Sequence, residues 1–215
     1  MRPPDPLNPP TAALRNAAGL CADGAALDSA PARQALDGVL QALALAEHCR
    51  GPSRAASLCQ AHTDLACALS GLQAHSLAQS HLAQALHWAS GMGATDTCAD
   101  LHCALAEMAT NMADLADAQG AAKASARQAR SLSRQHALEA ARLAGHTTDP
   151  HWEVKVLLRA SDVLDRCGHH GDAVQLQYRA MALIGLHHPA AQAGTVPAGL
   201  HTADAFQITA PSQLM

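Results

Sequence analysis

Apolar residues recur along this chain at intervals of four and three, the period that lines one face of an α-helix. Between positions 58 and 72 the recurring residues are Leu58, His62, Leu65, Leu69 and Leu72; between 101 and 115 they are Leu101, Leu105, Met108, Met112 and Leu115. Each member of the second set lies 43 residues after its counterpart in the first. The same offset carries Ala35 to Ala78, Val39 to Leu82, Ala42 to Ala85, Leu45 to Trp88 and Ala46 to Ala89, so successive helices and their connector repeat without a gap. A third copy has altered spacing: Ala140, Leu143 and Ala144 follow Ala85, Trp88 and Ala89 by 55, and Ala173, Ala180 and Leu183 follow Ala78, Ala85 and Trp88 by 95.

The pattern predicts seven helices, over about 31–49, 53–71, 74–91, 96–117, 121–144, 150–167 and 171–185. Their punctuation is legible. Gly51-Pro52-Ser53 restarts the chain, Gly91-Met92-Gly93 breaks it, and Asp149-Pro150 sets a capping acid before a proline at the first helical position. In Cys167-Gly168-His169-His170-Gly171-Asp172, Gly168 stands where a helix must stop and Asp172 favours the start of the next. His169 and His170 are then the exposed middle of a turn. Residues 1–28 and 186–215 are rich in proline and small residues, carry no sustained period, and read as flexible tails flanking a repeat domain over 29–185.

Composition agrees with helix. Hydrophobic residues make up 49% of the chain but aromatics only 2%, and alanine and leucine dominate over valine and isoleucine, which favours helix-on-helix packing through small contacts. A net charge of -4 and a pI near 6.4 supply no global attraction for nucleic acid or an anionic membrane. No stretch has the apolar length of a signal core or a membrane span, so a cytoplasmic protein is expected. Seven cysteines, an odd number scattered through helical segments, read as reduced, mostly buried thiols.

In "LLRASDVLDRCGHHGDAVQLQYRAMAL", the residues Leu157, Ala160, Ser161, Leu164, Gly168, Ala173 and Ala180 resemble the tetratricopeptide repeats, in particular their longer-period relatives. Leu65, Ala66, Leu69, Ala78, Leu82 and Ala85 match again, while residues 96–144 keep Met108, Ala109 and Ala121 and then depart from the pattern; Gln177 stands where the usual aromatic is expected. The resemblance covers about two-thirds of the chain, roughly 32–185. It implies an all-α, right-handed superhelix and a scaffold that binds a peptide or protein surface without catalysis. It also implies an inner groove lined by Gln60, Thr63, Cys67 and Ser70 in one unit, Cys103, Ala106, Thr110 and Ala113 in the next, and Lys155, Leu158, Asp162 and Asp165 in the last. The lysines and asparagines with which some family members clamp a terminal carboxylate are largely missing from these positions.

Two further groups merit chemical reading. Lys123, Arg127, Arg130 and Arg134 are spaced four, three and four, which sets four cations on one arc of a helix, either as a patch for an acidic partner or as a solvated outer face. Fourteen histidines invite a metal site, and Cys98 and His102 are four apart. A structural zinc site needs paired ligands at short spacing in two places, however, and no such pairs occur. No phosphate-binding glycine loop or nucleophile elbow is present. The expectation is therefore a non-enzymatic adaptor with no cofactor or metal. A helical His/Cys sensor of a ligand or metal, and a structural helical homo-oligomer, are the alternatives.

Overall fold

The computed structural model describes residues 30–51, 53–120 and 123–187. Within them the chain is all-helical: α1 (Ala30–His48), α2 (Arg54–Gly71), α3 (His75–Gly91), α4 (Thr95–Ala118), α5 (Lys123–Ala144), α6 (Pro150–Arg166) and α7 (His170–His187), with no strand. The tails expected at either end lie outside the described residues, apart from the last turn of α7, and so does Ala121.

Helix ends follow the local chemistry. Asp149 caps α6 by accepting from the backbone N–H of His151 (3.0 Å) and Trp152 (3.3 Å), with Pro150 in the first turn, where no N–H is needed. At the other end of α6, Gly168 turns left-handed at φ 80°, and His169 N–H donates back to the Leu164 carbonyl at 2.8 Å. The same closure ends α3, where Gly93 has φ 66° and Ala94 N–H reaches the Ala89 carbonyl. At the end of α2 the left-handed position is held by Gln73 (φ 61°), with Ala74 N–H donating to the Leu69 carbonyl. His170 is the first residue of α7 rather than the middle of a turn, and only His169 remains in the connector.

Side-chain contacts give the helix directions. Arg130 of α5 meets Asp117 of α4, Ser133 meets Thr110 and His136 meets His102, so α5 runs back along α4. Arg159 and Arg166 of α6 reach Glu107 and Asp114 of α4 in ascending order, so α4 and α6 run parallel. Arg134 and Arg179 likewise tie α5 to α7 in parallel, through Asp172 and the Ala141 carbonyl. The result is a row of antiparallel hairpins, α2/α3, α4/α5 and α6/α7, with α1 packed on the first.

The core runs through the row. Ala78, Leu82, Ala85 and Ala89 of α3 join Leu101, Leu105 and Met108 of α4 in one buried cluster; Ala137 and Ala141 of α5 join Leu157, Ala160 and Leu164 of α6 and Ala173 and Ala180 of α7 in another. Leu157 and Leu164 are fully buried, each stabilising the fold by about 1.5–3 kcal/mol relative to exposure. Many contact positions are alanine, which brings helix axes close but buries little apolar area per residue. Among the described residues, no helix is long and apolar enough to cross a membrane.

Candidate functional site

The residues expected to line a groove separate into two environments. On α2, Gln60 and Cys67 are exposed, and Thr63 and Ser70 are half-buried. Gln60 donates to Asp64 (2.8 Å), and Thr63 Oγ1 donates to the Cys59 carbonyl (2.9 Å). Lys155, Asp162 and Asp165 of α6 are exposed, and Asp165 accepts from the His170 ring.

The middle unit is different, because Cys103 is 1% exposed and Thr110 fully buried, so neither lines an open groove. Ala99, Cys103, Ala106, Thr110 and Ala113 are all small, and α5 and α6 close over them; Ala99 and Cys103 share a cluster with Ala140, Ala144 and Val156. Thr110 and Ser133 both donate to the Ala106 carbonyl, at 3.0 and 2.9 Å, and Cys167 Sγ lies 3.3 Å from the Thr110 hydroxyl. Every hydroxyl in this buried knot has a partner, as burial requires. Burial also pushes the Cys103 thiol up to about 12, which makes it inert.

A polar seam that sequence reasoning missed closes the same junction. Arg159 of α6 pairs with Asp100 (3.2 Å) and Glu107 (2.9 Å) of α4, and Arg166 with Asp114 (2.9 Å) and Asn111 (3.1 Å). Its signal was present: Asp100, Glu107 and Asp114 recur every seven residues on α4, and Arg159 and Arg166 do so on α6. The cationic row of α5 is divided in the same way. Arg130 pairs with Asp117, and Arg134 Nε donates to Asp172 at 2.6 Å, so these two cations, partly exposed, also tie α5 to its neighbours. Lys123 and Arg127 are exposed and make no ion pair among the described residues.

The junction between the first and second hairpins is open by contrast. There α2 scarcely meets α4, and α3 scarcely meets α5. An open cleft of about 540 Å³ lies between α3 and α5, lined by Gln79, Ala83, Leu86 and Ser90 of α3 and His136 of α5, with Leu105 of α4. Its lining mixes apolar and uncharged polar groups, a chemistry that accepts a peptide side chain or backbone.

Two histidine pairs flank this junction. His102 and His136 approach Nδ1 to Nδ1 at 2.9 Å across α4 and α5, and His62 and His81 at 3.0 Å across α2 and α3. Such a contact needs one N–H and one lone pair, so at least one ring of each pair is neutral. Burial holds His102, His136 and His62 below the usual imidazole value; the neighbouring ring lowers His136 and His62 further, and Arg142 lowers His102 against an opposing pull from Glu139. His62, which holds a stripe position on α2, thus has a specific partner in His81. Among the described residues, no three His, Cys, Asp or Glu side chains come together in a way that could hold a metal, and Cys98 faces Ser90 at 3.6 Å.

Comparison with known proteins adds little to this geometry. No family model matches the chain. No curated protein matches it. Among solved structures, the crystal structure of BtubC (BKLC) from P. vanneervenii is similar at 15% identity over 84% of this chain and 82% of that one, with a TM-score of 0.36, too low to bear on fold or function.

Proposed function

We propose that the chain is a non-catalytic, cytoplasmic interaction scaffold of tetratricopeptide-like hairpins wound into a right-handed superhelix, and that a peptide segment of a protein partner seats at the junction between the first two hairpins. The observation that carries this reading is the unequal closure of the two junctions. Between the second and third hairpins, small side chains, a hydroxyl knot and an arginine seam fill the space. Between the first and second, Gln60 and Cys67 stay exposed on one side and the cleft over Leu105 stays open on the other.

The cleft over Leu105, lined by no carboxylate, lysine or arginine, is suited to a segment recognised through shape and hydrogen bonds rather than charge. The test is site-specific photo-crosslinking in the native host from positions 83 and 63, with position 127 on the outer arc of α5 as control. One partner captured from 83 or 63 but not from 127, and lost when Ala83→Arg fills the cleft of an otherwise folded chain, supports the reading. Equal capture from all three positions, or turnover of a small molecule by the purified chain, contradicts it.

A further inference from the structure

The outward face of α7 is largely apolar from Val174 to Ile184. Val174, Tyr178, Met181 and Ile184 are 44%, 65%, 55% and 45% exposed, while Ala173, Leu176 and Ala180 of the same helix are buried against the rest of the chain. Val174, Tyr178, Met181 and Gly185 follow a four-three-four spacing and share one narrow arc, with Gln177 and Ile184 beside it. Between Ala173 and Gly185 the one charged residue is Arg179, which turns inward to Glu153 and the Ala141 carbonyl; one turn earlier His170 shares the arc and pairs with Asp165.

The repeat shows what this face is built to meet. The offset of 95 that carries Ala78 to Ala173 and Ala85 to Ala180 also carries Leu82 and Ala89 to Gln177 and Ile184, and Ala83 and Leu86 to Tyr178 and Met181. In α3, Leu82 and Ala89 are buried in the cluster shared with α4, and Ala83 and Leu86 face the cleft toward α5. In α5, the matching Ala137, Ala141 and Ala144 are buried in clusters shared with α6. In both earlier helices the positions matching Gln177, Met181 and Ile184 therefore pack toward the hairpin that follows, while Ala83 and Leu138, which match Tyr178, are exposed. Residues 188–215, which follow α7, carry Pro189, Pro197 and Pro211 and no sustained apolar period.

We propose that a second copy of the chain covers this face, α7 against α7 about a two-fold axis. An isologous contact sets like positions near one another, so a charged face would repel itself, whereas the uncharged arc of α7 does not. The exposed side of α1, the other end of the row, carries Asp37 and Glu47 beside Leu40 and Leu45 and lacks this property. Tyr178, the chain's one tyrosine, is at the middle of the arc and is the expected anchor, with Gly185 giving room for close approach.

The inference does not depend on the partner seat proposed above, and its test is separate. Sedimentation velocity of the full chain across a wide concentration range should show a dimer. Met181→Arg should weaken self-association roughly tenfold or more while leaving helical content intact, since position 181 is exposed. Mixing M181R with M181E chains should restore the dimer, an outcome that misfolding could not produce; Leu45→Arg should leave it unchanged. A monomer at every concentration, with the face bare or covered by residues 188–215, would overturn the proposal. So would a dimer insensitive to M181R, or assemblies that keep growing with concentration through head-to-tail contact.

Discussion

Helices α2 and α4 carry the same apolar stripe 43 residues apart, yet they treat the adjacent face in opposite ways. On α2 the face comprises Gln60, Thr63, Cys67 and Ser70, exposed or half-buried; on α4 it comprises Cys103, Ala106, Thr110 and Ala113, all buried. The stripe packs each helix into its own hairpin, and the repeat preserves it. The adjacent face meets the next hairpin, and there the glutamine and serine of α2 stand where α4 has cysteine and alanine, over which α6 closes. A repeat in sequence is thus a repeat of hairpins and not of the junctions between them.

The most severe way to break the comparison is to overfill the closed junction. Ala106→Leu adds volume where none is free and should cost about 2–3 kcal/mol in urea denaturation, whereas Thr63→Leu at the matching position of α2 should stay within about 0.5 kcal/mol. Equal costs would mean that the two faces are equally packed.

Acidification acts next, on both histidine pairs together. His62, His102 and His136 are held below the ordinary imidazole value of 6.5, so below that pH the unfolded chain binds more protons than the folded one. Stability is full above 6.5 and declines as pH falls through that value toward the lowered folded values. The charged groups facing these rings are Glu139 and Arg142 at His102 and Glu47 at His62. Urea midpoints measured above and below 6.5 should differ in that sense, and His136→Gln should flatten the dependence; a midpoint indifferent to pH would show that the rings are not desolvated.

Much of the fold was legible in the sequence. The seven helices follow from the four-three spacing, and their ends from Asp149-Pro150, Gly93 and Gly168, because caps and periodicity are local properties. The groove was legible only in part. Ala106 and Ala113, expected in the groove, carry only a methyl group, and whether so small a face is covered depends on residues far along the chain, such as Val156 and Ser133. The arginine seam and the histidine pairs stayed hidden for the same reason: His102 meets His136 across 34 residues, and Arg159 meets Glu107 across 52.

Smaller perturbations sharpen the contrast. Arg159→Ala opens the polar seam at its centre and should cost about 0.5–1 kcal/mol, since the pair is partly solvated, with the loss shrinking at high salt. Gln73→Gly, at the left-handed end of α2 where α3, α4 and α6 are followed by glycine, should stabilise the first hairpin by about 0.5 kcal/mol after losing the Gln73–His75 contact. A destabilised variant would show that this contact outweighs the backbone strain.

The central claim is that one repeat position is open in the first hairpin and sealed in the second, and thiol labelling of the native chain tests it most directly. Cys103 and a Gln60→Cys substitution occupy equivalent positions. The substituted thiol should react at the rate of an exposed cysteine, and Cys103, buried and with its thiol pushed up to about 12, far more slowly, reacting only as the chain opens. Comparable labelling rates at the two sites under native conditions would contradict the account.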